Sequence, residues 1–68
     1  MNKWISVKDA LPPIGRKVLI TFNDNGGSIV DAAWLCSNFE WDVENWLVSN
    51  DLITHWMPLP KPPEMTYE

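Results

Sequence analysis

This sequence offers almost nothing for holding a small fold together by covalent or metal chemistry. It has one cysteine, Cys36, and one histidine, His55. A single thiol excludes an internal disulfide, and a lone Cys with a lone His cannot make the ligand set of a structural zinc site. Cations are scarce too: five Lys and Arg against nine Asp and Glu leave a formal net charge of −4. That balance argues against the backbone of DNA or RNA as the main partner, since a long polyanion would be repelled. No apolar run approaches the roughly 20 residues of a membrane-spanning helix, and the opening MNKWISVKD lacks the apolar centre of a secretory signal. With an unpaired thiol, these absences lead us to expect a cytoplasmic protein with no membrane, metal or cofactor.

What is present is aromatic bulk. A chain of 68 residues makes one domain and buries only about 60% of the surface its unfolded form exposes. Ordering it costs about 1.5 kcal/mol per residue, so the core needs supplementing. Five tryptophans, at positions 4, 34, 41, 46 and 56, are available for this, each able to bury about 200 Å². Self-association is the other available support, and we expect a homo-oligomer.

Along the chain, SVKDALPP predicts one or two helical turns, with Ser6 as N-cap and Asp9 at capping-box spacing, stopped by Pro12 and Pro13. KVLITF and SIVDAAWLC predict a β-hairpin around the five-residue connection NDNGG, which leaves the register open. The same NDNGGS stretch lacks the spacing and terminal Glu of a calcium loop. In FEWDVE, apolar Phe39, Trp41 and Val43 alternate with Glu40, Asp42 and Glu44, the period of a strand with one wet face. NWLVSND predicts an irregular connection. LITHWMP predicts a last strand ended by Pro58, because proline donates nothing to a sheet ladder. The expected fold class is α+β, mostly β: a three- to four-stranded antiparallel sheet with one short N-terminal helix over residues 1–60. Residues 61–68 are expected to form a Pro-rich extended or disordered tail.

Three segments, WISVKDALPP, VLITF and ITHWMPLPKPP, resemble a phage and prophage family catalogued as domain of unknown function 551. The resemblance spans nearly the whole chain, and only the middle, SNFEWDVENW, departs from the pattern. It transfers no chemistry. It implies a setting: an accessory protein of a tailed bacteriophage, acting in the cytoplasm of the infected bacterial host.

The candidate ligand-binding residues are Arg16, Lys17, Trp41, Trp46 and His55. Arg16 and Lys17 follow Gly15 in PPIGRKV, where a backbone amide and a guanidinium fork suit a phosphate or carboxylate. Trp41 and Trp46 lie in an acidic segment with few apolar neighbours to cover them, so one is expected at a contact surface. Trp4 and Trp56 are expected to pair across the sheet as core. On an ideal strand His55 shares a face with Ile53 and Met57, while Trp56 points the other way. PLPKPP has the PxxP spacing that docks in aromatic grooves, and reads more simply as the end of the fold.

No nucleophile or second acid–base group is placed beside His55 by a motif, so catalysis is not expected. The leading expectation is a non-catalytic anti-defence protein that sequesters a host nucleotide-type immune signal, stacking its base on tryptophan. The alternative is a protein-binding module that inhibits a host protein through its acidic aromatic surface.

Overall fold

The computed structural model describes residues 3–60. The expected tail, 61–68, lies outside them. Five strands form one antiparallel sheet: β1 (Ile5–Ser6), β2 (Lys17–Asp24), β3 (Gly27–Leu35), β4 (Trp41–Val43) and β5 (Ile53–Pro58), in the order β1-β5-β2-β3-β4. The mostly-β class holds, with one strand more than the sequence pattern suggests.

The N-terminal helix does not form. Ser6 does cap a turn: its carbonyl accepts from the amides of Asp9 and Ala10 at 2.9 and 3.2 Å, and its Oγ accepts from the Lys8 amide at 3.2 Å. The turn stops after one cycle because Pro12 disfavours helical backbone at Leu11. The residues ahead of it pair instead with β5, Ile5 opposite Trp56 and Ser6 opposite His55. Indole Nε1 of Trp56 then donates to the Ala10 carbonyl at 2.9 Å, tying the turn to the sheet.

The β2–β3 hairpin is tighter than a five-residue connection. Asp24 and Gly27 are already paired, leaving Asn25 (φ 48°) and Gly26 (φ 87°) as a two-residue turn with positive φ at both positions. That geometry matches the twist of the flanking strands. The next connection removes Phe39 from the expected third strand. Cys36 and Glu40 close it through a 2.8 Å bond, and the Phe39 amide donates to the Cys36 carbonyl at 2.8 Å. Phe39 takes φ 64° there and stays exposed, so only Trp41 and Val43 turn towards the core.

One sheet face carries that core. Val18, Ile20 and Phe22 of β2, Ala33 of β3, and Ile53 and Trp56 of β5 are buried together, with Ile5, Val7, Ile29, Trp41, Val43 and Val48 packed around them. The irregular segment after β4 lies over this face and ends in a 3₁₀ turn, Asn50–Leu52.

A bulge in β5 overturns the simple alternation. Phe22 pairs with Ile53 and Thr21 with His55, so Thr54 is an extra residue on β5. Ile53 and Trp56 therefore share the core face, and His55 is on the opposite face with Met57. The expected Trp4–Trp56 pairing also fails. The residue facing Trp56 across the β1–β5 ladder is Ile5, and Trp4, ahead of the strand, is 41% exposed.

Candidate functional site

The bulge and β1 build a cleft of about 540 Å³ around His55. β1 contributes Ser6, placed opposite His55 by the strand register, and the turn that follows contributes Lys8. The 3₁₀ turn contributes Asn50 and Asp51, and the bulge contributes Thr54; Val7 and Ile53 supply the apolar lining. The Val7 amide donates to the Thr54 carbonyl at 3.0 Å, which locks the two walls together.

Half-buried His55 has its Nδ1 2.9 Å from Thr54 Oγ1, a hydrogen bond open to either tautomer. Nε2 makes no hydrogen bond among the described residues and stays available to a ligand. Lys8 is exposed and forms no ion pair among them. The cleft thus offers a cation, an imidazole, hydroxyls, an amide and a carboxylate. Of these, sequence patterns point only to His55. The others are united by pairing between distant segments, which leaves no local signal.

A second, shallower groove of about 340 Å³ is lined by Trp41, Val43, Trp46, Leu47 and Val48, with Asp42 and Ser49. Trp46 meets Phe22 edge to face, with centroids 5.7 Å apart and planes at 71°, yet it remains 44% exposed. Trp41 is half-buried against the core, and its amide donates to Asn50 Oδ1 at 3.0 Å. This groove takes both expected tryptophans but not His55.

Arg16 and Lys17 lie outside both clefts. The amides beside them are already used: Gly15 (φ 84°) donates to the Leu35 carbonyl at 2.9 Å, and Arg16 donates to the Pro13 carbonyl at 3.3 Å. Lys17 Nζ is 3.0 Å from Glu44 Oε1 and 5.3 Å from the Trp34 ring centroid. An exposed pair of this kind contributes at most about 1 kcal/mol, but it engages the cation. The five expected residues are therefore distributed over three places.

The Asp31 carboxylate has a displaced pKa. Burial pushes it up, but hydrogen bonds from the amide of Ala32 and from the side-chain and backbone amides of Asn45, with the nearby Lys17 cation, more than reverse this. The net result is a value below the ordinary 3.8. Its role is to hold the segment after β4 rather than to face either cleft. Among the described residues there is no cluster of His, Cys, Asp and Glu able to hold a metal ion, and no helix is long and apolar enough to cross a membrane.

No curated protein and no solved structure matches this chain. A family model described as "Protein of unknown function (DUF551)" matches residues 3–64. This range takes in the segments that carry β1 and β5 and the middle segment between them. The chain belongs to the DUF551 family.

Proposed function

We propose that this protein is a non-catalytic phage accessory protein that captures a nucleotide-type immune signalling molecule of the infected host. The supporting observation is the composition of the His55 cleft. Lys8 supplies local positive charge for a phosphate. Ser6, Thr54, Asn50 and Asp51 offer the hydroxyl, amide and carboxylate groups that pair with a ribose, and His55 Nε2 can donate or accept between them. A pocket of about 540 Å³ is within the usual size range for small-molecule sites. The phage setting rests on the resemblance carried by WISVKDALPP and ITHWMPLPKPP.

Native mass spectrometry of the protein purified from phage-infected, defence-competent cells tests this reading. A nucleotide-sized mass that is retained by the wild type and lost from Lys8→Ala and His55→Ala supports it. A bare wild-type species that also leaves the immune signal free in the lysate overturns it.

A second reading has an observation of its own. Phe39, Trp46, Leu47 and Leu52 are all exposed in one acidic stretch, with Leu47 wholly so, and residues 18–60 contain no Lys or Arg. Such a stretch suits a host protein surface that is basic around an apolar centre. In this reading Leu47→Asp abolishes recovery of the host partner and Lys8→Ala does not.

A further inference from the structure

We propose that the outer edge of β3, Gly27–Asp31, is a self-pairing interface whose occupant is the same edge of a second copy of this chain. β3 is much longer than its outer neighbour: β4 pairs only with Ala33, Trp34 and Leu35. Glu44 adds one bond, to the Ala32 carbonyl, and Asn45 reaches only the Asp31 side chain; among the described residues no backbone group bonds Gly27–Val30 from that side.

The direction of the free groups follows from the hairpin. A two-residue turn at Asn25 and Gly26 makes Asp24 and Gly27 a hydrogen-bonded pair, and such pairs alternate along an antiparallel ladder. Ser28, Val30 and Ala32 therefore point their N–H and C=O groups away from β2. The Ala32 carbonyl confirms the parity by accepting from the Glu44 amide at 2.9 Å on that outer side. Ala32 N–H is closed off by Asp31 Oδ1 at 2.7 Å. Ser28 and Val30 have no such closure.

Among the described residues the other strand edges are blunted. β1 is two residues long and runs into a turn, β4 is three residues long, and β5 ends in Pro58. These are the devices that prevent strand addition. Gly27–Asp31 has no Lys and no Pro, and Val30 is 54% exposed.

The edge is complementary to itself. Antiparallel pairing centred on Ile29 sets Ser28 of one copy opposite Val30 of the other, so the open donors and acceptors of both residues are satisfied reciprocally. It sets Asp31 against a glycine, Gly27, and keeps the two acidic side chains apart. Ile29, already at the rim of the core, meets its own copy across a two-fold axis, the usual symmetry of a homodimer. The result is one sheet running through both copies.

Sedimentation equilibrium over a concentration series is the test, with Val30→Pro as the main variant. The Val30 N–H points away from β2, so proline removes a donor from the edge and none from the hairpin. The wild type is expected to dimerise, and Val30→Pro to weaken the dimer about tenfold or more with unchanged circular dichroism. Val30→Lys, which retains the N–H but adds a charge at the pairing face, provides a second variant should proline impair folding. Amide exchange of Ser28 and Val30 should slow as dimer forms. A wild type that stays monomeric at millimolar concentration, or a dimer that persists in folded forms of both variants, overturns the proposal.

Discussion

Asn45 donates both its backbone amide and its side-chain amide to the carboxylate of Asp31, each at 3.0 Å. Asp31 lies on β3 opposite Ile20, so it holds the segment after β4 at the place where that segment begins to cover the core. Removing the carboxylate deletes three hydrogen bonds, of which the part-buried one to the Ala32 amide is the hardest for water to replace. Asp31→Ala should lower the free energy of unfolding by about 1–3 kcal/mol, read from urea denaturation. An unchanged midpoint would mean that apolar contacts alone hold the cover.

The same carboxylate sets an acid limit. Its folded pKa is below the ordinary 3.8, so its contribution to stability is present above that value and disappears as pH falls through the folded pKa. Melting temperature should drop as pH is lowered from about 4 downwards. In Asp31→Asn that drop should be shallower, since the amide no longer titrates. Parallel melting curves for the two proteins across this range would show that Asp31 is not the responsible group.

Trp46 and Leu47 are adjacent but should behave differently. Trp46 stacks its edge against buried Phe22, an arrangement that contributes about 0.5–1.5 kcal/mol beyond area burial. Leu47 is fully exposed. Trp46→Ala should destabilise by more than about 1 kcal/mol, and Leu47→Ala by less than about 0.5 kcal/mol. Urea midpoints of the two variants give the comparison directly.

Two neighbouring glycines give a similar contrast. Gly26 has φ 87°, where an L side chain is strained, although a Cβ there would meet nothing within 4 Å. Gly26→Ala should cost about 1–2 kcal/mol. A Cβ on Gly27 would meet only the Asp24 carbonyl oxygen, at an ordinary 3.7 Å, and β3 already holds this residue in a strand. Gly27→Ala should be neutral or stabilise by up to about 1 kcal/mol. Thermal melts that rank the two the other way would place the turn one residue later.

The hairpin was legible because KVLITF and SIVDAAWLC have the period and residue types of strands, and NDNGG supplies residues that accept positive φ. β1 was not. Two residues carry no periodic signal, and Ser6 with Asp9 presents a real capping pattern that ends after one turn. His55 could be singled out as the one imidazole in a strand. Its neighbours in the cleft could not, because Ser6 and Lys8 reach it through pairing across some fifty positions of sequence.

Side-chain chemistry and local backbone preference were sufficient to specify a small, acidic, β-rich domain rich in tryptophan, with turns at glycine and Asn and an end at Pro58. These properties depend on residues close together in the chain. The faces of β5 and the contents of the His55 cleft depend on one extra residue, Thr54, in the ladder between β2 and β5. A bulge exchanges the two faces of a strand beyond it, and its position is set by the register in which distant strands meet. That register minimises exposed apolar surface over the whole sheet, a condition that no single segment of the chain contains.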